Sequence, residues 1–210
     1  MITLGIDTTQ KTAAVCVYAD GIYYETQSED GISHSESLIA LVDQTLHDAG
    51  ITIQSVGRFA VSVGPGSFTG VRIGVSAVKG FAFGNESANC IPVSSLLALA
   101  YGAGARDGAI VIPTIDARRT QVYTAIFEMQ SGIPVRLTED CIMLTADLME
   151  KLANEYPGRE VVFNSTVSGK SVCRATADAA AVTARELSPR YVIAPEAERN
   201  LAENKQSCIY

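Results

Sequence analysis

The stretch Phe59-Ala60-Val61-Ser62-Val63-Gly64-Pro65-Gly66-Ser67-Phe68-Thr69-Gly70-Val71-Arg72-Ile73-Gly74 constrains the fold of this chain more than any other. Phe59 to Val63 is an apolar run of strand length, and Gly64-Pro65-Gly66 ends it with strong turn punctuation. From about Phe68 to Phe83 the pattern is helical, and Ser67 or Thr69 can cap the first turn. A strand that feeds a helix through a glycine turn resembles a phosphate cradle. A phosphate loop, however, needs Gly-Lys-Ser/Thr, and Gly70-Val71-Arg72 stands there instead. The second reading is close packing. Gly70, Gly74, Ala77 and Gly84, with Phe81 among them, line one side of the helix, and Val71, Val75, Val78 and Ala82 form an apolar stripe. Each interior glycine costs about 1 kcal/mol against alanine, so Gly70, Gly74 and Gly80 suggest another backbone in close approach.

The rest of the chain supplies the sheet that this unit needs. Ile2–Ile6, Ala13–Tyr18 and Ile22–Gln27 read as strands, the last two joined by an Asp20-Gly21 hairpin turn. Ser33-His34-Ser35-Glu36 has the spacing of a capping box, and Leu38, Leu41, Val42, Thr45, Leu46 and Ala49 carry a helix to Gly50. A strand at Cys90–Val93 and a helix near Ser95–Gly102 follow. Then the opening pattern returns: Ile115-Asp116 and Val122-Tyr123 repeat Ile6-Asp7 and the strand after it, about half a chain later. Two related halves are expected, 1–105 and a smaller 106–210, each opening on a hairpin with an aspartate at its tip. In the second half, strands are expected within Ile133–Leu144 and at Glu160–Phe163. Helices are expected at Ala146–Asn154 and near Ala175–Leu187, before a polar tail from Glu196 to Tyr210.

Composition excludes several classes. With 47% hydrophobic and 19% charged residues the chain is globular. The start shows neither a basic leader nor an apolar run of membrane length, so no signal peptide and no membrane contact are expected. The cysteines (16, 90, 141, 173 and 208) are odd in number and scattered, which suggests reduced thiols in the cytoplasm. Net charge is −7, and residues 1–100 hold only Lys11, Arg58, Arg72 and Lys79 as basic side chains. Such a surface lacks the cations that hold nucleic acid. No metal site is expected, because His34 and His47 lie far from helical pair spacing. Gly66-Ser67-Phe68-Thr69 is not a nucleophile elbow either, so no catalytic residue is assigned.

Four groups of residues together resemble the TsaB (YeaZ) family: Ile6-Asp7-Thr8-Thr9, His34-Ser35-Glu36, the long glycine stretch from Gly64 to Gly74, and Ile115-Asp116-Ala117-Arg118-Arg119 with Val122-Tyr123. The resemblance is closest over residues 1–128 and returns at Pro189-Arg190-Tyr191 and Glu196-Ala197-Glu198. Ile193 stands where the family usually carries arginine. The resemblance implies an α/β fold of the actin/hexokinase/Hsp70 type, a duplicated ribonuclease-H-like fold whose two half-domains are mixed sheets flanked by helices. It also implies a role in forming N6-threonylcarbamoyladenosine at position 37 of tRNAs that read ANN codons. In that pathway a separate enzyme makes threonylcarbamoyl-adenylate, and a TsaD-type subunit transfers the group. The TsaB-type chain is its non-catalytic partner, and a TsaE-type ATPase docks on the pair.

On this reading the chain carries no cofactor, pairs with itself when alone, and meets tRNA only through the complex. The expected partner surface comprises Ser33, His34, Glu36, Leu38, Gly66, Phe68, Thr69, Gly70, Arg72, Ile73, Gly74, Ala77 and Phe81. Asp7, Thr8, Thr9, Asp116 and Arg118 mark a vestigial nucleotide site. The rival reading is an active ATP-dependent enzyme that uses Asp7 and Asp116. Against it, Thr8-Thr9 and Ala117-Arg118 stand where phosphate hairpins offer glycine, and each aspartate can serve as a turn cap.

Overall fold

A computed structural model describes residues 1–29, 33–85 and 88–192. Ile193 and the tail from Glu196 to Tyr210, with Cys208, lie outside the described residues.

The first half builds a five-stranded sheet in the order β3-β2-β1-β4-β5. Its strands are β1 (Thr3–Asp7), β2 (Ala14–Ala19), β3 (Ile22–Gln27), β4 (Arg58–Ser62) and β5 (Asn89–Val93). The first three form an antiparallel meander, while β4 and β5 add in parallel. Asp20 and Gly21 both take positive φ, 50° and 84°, the geometry that a two-residue hairpin demands. Parallel strands need a crossover, and two helices supply it: α1 (His34–Asp48) before β4 and α2 (Phe68–Phe83) before β5. Leu4, Ile6, Val15, Val17, Phe59, Val61 and Val63 project to one face by strand alternation. There they meet Leu38, Val42 and Leu46 of α1 and Val71, Val75 and Val78 of α2.

The second half repeats the plan around a six-stranded sheet. Its strands are β6 (Ile110–Asp116), β7 (Gln121–Thr124), β8 (Phe127–Gln130), β9 (Ile133–Arg136), β10 (Cys141–Leu144) and β11 (Val161–Asn164). β7 and β8 run along β6 in one register, from Asp116 opposite Val122 to Ile110 opposite Glu128. β9 and β10 then pair with β8 and β7, on either side of a bulge where Leu137 and Thr138 both reach the Ile126 carbonyl. The β8–β9 turn, Ser131-Gly132, again has two positive φ values. A helix, α4 (Thr145–Glu155), covers the outer face through Leu148 and Leu152, and β11 returns parallel to β6.

Two short helices lie between the sheets. The helix α3 (Ser95–Gly102) packs Leu96, Leu99 and Ala100 onto the second sheet, against Val111 and Phe127. The helix α5 (Gly169–Ala175) packs Val172 and Ala175 with Ala60, Ile91 and Val93 of the first sheet. Helix pair, sheet, helix pair, sheet, helix: this is the actin/hexokinase-like α/β arrangement, with α3 and α5 sandwiched between its two sheets. Ser94, which caps α3, also donates to Asp140 Oδ2 (2.9 Å), and Arg136 pairs with Asp140 at 2.6 Å. That network ties the bulge of the second sheet to the start of α3.

Two sequence expectations need correction. Ser33 occupies the N-cap position of α1, but its hydroxyl bonds Ser35 Oγ (2.7 Å) and makes no side-chain cap, so the capping box does not form. The expected helix near Ala175–Leu187 is also absent. After α5, residues 176–178 make a single 3-10 turn, and the chain then runs as an irregular strap with one further turn at 184–186. Tertiary contacts outweigh the alanine-rich propensity there. Tyr101 donates to Asp178, Val182 exchanges backbone hydrogen bonds with Cys90 on the outer edge of β5, and Leu187 is buried in the first core. The strap thereby covers a sheet edge that would otherwise lie open.

Candidate functional site

The glycine turn and the first hairpin are built into one another. Parallel pairing of β1 with β4 sets Ile6 beside Val61 and therefore Asp7 beside Ser62, at the ends of their strands. Both side chains project away from the α1–α2 face. Asp7 is buried, and both of its oxygens are taken by the chain itself. Oδ1 accepts from Thr9 N–H (2.8 Å) and Thr9 Oγ1 (2.7 Å), and Oδ2 accepts from Ser62 Oγ (2.5 Å). Burial pushes the Asp7 carboxyl above its ordinary 3.8. The hydrogen bonds from Ser62 and Thr9, and to a lesser degree the charge of His34, work against that rise.

Thr8 and Thr9 fill the space in front of the glycines. Thr9 carbonyl accepts from Ser67 N–H (2.7 Å), and Thr8 Oγ1 donates to the Gly70 carbonyl (2.7 Å). A Cβ on Gly70 would stand 1.9 Å from the Thr8 carbonyl oxygen, and one on Gly74 would stand 2.5 Å from Thr8 Oγ1. One on Gly66 (φ 153°) would meet the Thr9 carbonyl at 2.5 Å. The close approach foreseen for these glycines is therefore made inside the chain, by the β1–β2 turn, and not by a partner helix. Gly64 (φ 113°) makes the same kind of contact with the Arg190 carbonyl of the strap. Ser67 caps α2 by accepting from Gly70 N–H (3.2 Å).

The second hairpin copies the first in outline. Asp116 Oδ1 accepts from Arg118 N–H at 2.8 Å, the counterpart of Asp7 with Thr9. Here the aspartate and Arg118 are exposed, and Arg118, Arg119 and Thr120 all take positive φ. No hydrogen bond or ion pair joins Asp116 to Asp7 among the described residues. Both aspartates thus serve as turn caps, the plainer of their two readings. Among the described residues, no three His, Cys, Asp or Glu side chains gather where they could hold a metal.

Of the thirteen residues expected at a partner surface, the structure leaves part outside. Leu38 is core, and Ala77 and Phe81 are half-buried against that core, with the Phe81 ring 6.1 Å from Phe59. His34 turns inward and its Nε2 bonds the Gln10 carbonyl (2.7 Å), which pins the β1–β2 turn to the start of α1. Ser33, Glu36, Phe68, Thr69 and Arg72 are exposed, and Ile73 is half-exposed. A shallow groove of about 500 Å³ runs among Ser35, Phe68, Thr69, Arg72, Ile73 and Ser76. Ile39 of α1 and Phe83 at the far end of α2 are exposed but do not line it.

Tyr191, on the strap, stacks on Phe68 with ring centroids 5.4 Å apart and accepts from Arg72 Nε (2.9 Å), while the Arg72 guanidinium lies 3.9 Å from the Phe68 centroid. Neither Ser62 nor Tyr191 was assigned to a site from sequence. A polar residue inside the apolar run Phe59–Val63 was the available signal for Ser62. For Tyr191 it was the return of the family resemblance at Pro189-Arg190-Tyr191, which marks the stretch but not the residue it meets.

The chain matches, over residues 24–207, the family model for TsaD, tRNA N6-adenosine threonylcarbamoyltransferase. It is 34% identical over 167 residues to the tRNA threonylcarbamoyladenosine biosynthesis protein TsaB of Bacillus subtilis, covering 78% of this chain and 70% of that one. Against the protein of the same name from Escherichia coli it is 35% identical over 135 residues, 63% of this chain and 58% of that one. Among solved structures, YeaZ from Pseudomonas aeruginosa superposes with a TM-score of 0.73 at 25% identity, covering 90% of this chain and 99% of that one. A structure described as an uncharacterized protein with similarity to peptidase YEAZ, from the same organism, gives 0.77 at 25% identity, covering 91% and 99%. Among the described residues no helix is long and apolar enough to cross a membrane.

Proposed function

Because this chain belongs to the TsaB (YeaZ) family, within the wider group that the TsaD family model matches, we propose that it takes part in tRNA threonylcarbamoyladenosine biosynthesis as a non-catalytic subunit. Its work is to pair with a TsaD-type transferase, and a TsaE-type ATPase joins the assembled pair. It forms a homodimer when alone and meets tRNA only through the complex.

The observation that carries this reading is the filled hairpin. An acid that positions Mg²⁺ or acts as a base needs a free lone pair directed at the ligand. Asp7 is instead buried with donors of its own chain on both oxygens, two on Oδ1 and one on Oδ2, and Thr8-Thr9 occupies the space before the glycines. The outer face of α2, with Phe68, Thr69, Arg72 and Ile73, is left for a partner, joined by Ser33 and Glu36 of α1. Leu38, Gly66, Gly70, Gly74, Ala77, Phe81 and His34 support that face from beneath. The division of the chain into halves 1–105 and 106–210 belongs to the same proposal, with residues 169–192 returning to the first sheet.

The test is reconstitution. With threonylcarbamoyl-adenylate supplied, the isolated chain should leave tRNA unmodified, and addition of the TsaD-type subunit from the same cell should yield the modified nucleoside, read by mass spectrometry. Modification by this chain alone would overturn the non-catalytic reading. The rival, an ATP-dependent enzyme using Asp7 and Asp116, draws on the fact that the matching family model is that of a transferase. Calorimetry separates the two: micromolar MgATP affinity lost in Asp7→Ala would favour the rival.

A further inference from the structure

The helix α5 crosses the first sheet on the face away from α1 and α2, so closely that two positions require glycine. A Cβ on Gly169 would lie 2.7 Å from Cys16 N and 2.9 Å from Cys16 Cβ. One turn along α5, the Cys173 thiol fills the place where a Gly5 side chain would stand, 2.7 Å from that Cβ position. Gly5 is the cross-strand partner of Cys16. Antiparallel neighbours on one face have Cβ atoms about 5 Å apart, so Cys173 Sγ lies directly beside the Cys16 side chain. It donates to the Cys16 carbonyl at 3.5 Å. Both residues are buried. These two thiols have no part in the proposed function.

We propose that Cys16 and Cys173 form an oxidisable pair whose disulfide staples α5 to β2, and so the C-terminal half of the chain to the first sheet. The oxidant is a peroxide. One thiolate attacks the O–O bond, becomes a sulfenic acid and releases hydroxide. The second thiolate then attacks that sulfur, forms the S–S bond and releases a second hydroxide. The two thiol protons convert both hydroxides to water, so two thiols and one peroxide give one disulfide and two waters. The Cys16 thiol beside it and burial hold Cys173 well above the ordinary thiol range, so the reaction is slow at neutral pH and accelerates as pH rises. The crosslink closes a loop between residues 157 apart.

The experiment treats the folded full-length chain with hydrogen peroxide at about pH 8.5. Intact mass, non-reducing peptide mapping and melting are then read. The expected result is a loss of about two hydrogens, one Cys16–Cys173 peptide, and a Tm raised by roughly 5–10 °C that dithiothreitol reverses. Cys16→Ser and Cys173→Ser should each lose both the crosslink and the Tm rise, while Cys90→Ser and Cys141→Ser should keep them. Five free thiols after treatment, a disulfide between any other pair, or oxidation of these two to sulfinic acid without a crosslink would overturn the proposal. If a serine variant fails to fold, the mapping of the wild-type chain alone decides.

Discussion

Two glycines of the same helix should respond to substitution with opposite signs. A Cβ at Gly70 meets the Thr8 carbonyl at 1.9 Å, whereas one at Gly80 meets nothing within 4 Å. Gly70→Ala should therefore cost about 1–3 kcal/mol or more, and Gly80→Ala should gain about 0.5–1 kcal/mol by relieving helix entropy. Thermal melts of the two variants check both signs, and a Gly70→Ala protein as stable as the wild type would show that α2 does not close on the Thr8-Thr9 turn. Asp7 gives a pH-dependent counterpart. Its folded pKa is raised by burial above 3.8, so the folded state keeps the proton longer than the unfolded chain does. Its contribution is fully present below that value and declines as pH rises through the raised one. Asp7→Asn has no such proton, so its Tm relative to wild type should increase as pH rises from about 3 to about 7. A difference that stays flat with pH would contradict the buried, proton-retaining carboxyl.

At the scale of elements, the strap after α5 decides how firmly the first sheet is closed. Leu187 is buried among the residues that α1 and α2 share with the sheet, and Arg190 N–H reaches the Val63 carbonyl at 2.7 Å. Leu187→Ala should cost about 2–5 kcal/mol, read as a lower urea midpoint. The strap is also where reading the sequence failed. Residues 175–187 are rich in alanine and read as helix, but their conformation follows from partners far away in sequence, Tyr101 and Cys90, which no local pattern displays. The strands of the first half, the Asp20-Gly21 turn, α1, α2 and the repeat of Asp7 by Asp116 were legible, because each rests on local periodicity or turn chemistry. Gly70 and Gly74 of α2 were legible as close-approach positions, though not their neighbour, while Gly80, expected to be a third, faces open space. Spacing along a helix reports that a backbone comes near, and only the β1–β4 register reveals that the backbone is that of Thr8-Thr9.

The whole molecule carries a net charge of −7, and its first hundred residues hold four basic side chains. Free chain should not shift tRNA in a gel at physiological salt, since such binding rests on releasing counterions from phosphates. Tight, salt-sensitive retardation would relocate the RNA surface onto this subunit. The central claim is that the outer face of α2 is built for a partner while the hairpin beneath it is closed to chemistry. Arg72 sits on that face, exposed, held over Phe68 and against Tyr191. Calorimetric titration of the TsaD-type subunit from the same cell into wild-type chain and into Arg72→Glu tests the claim most directly. The wild type should bind. Arg72→Glu, melting within a few degrees of it, should bind at least about tenfold more weakly, a loss of about 1.4 kcal/mol. No association of the wild type, or association that Arg72→Glu leaves unchanged, would contradict the account.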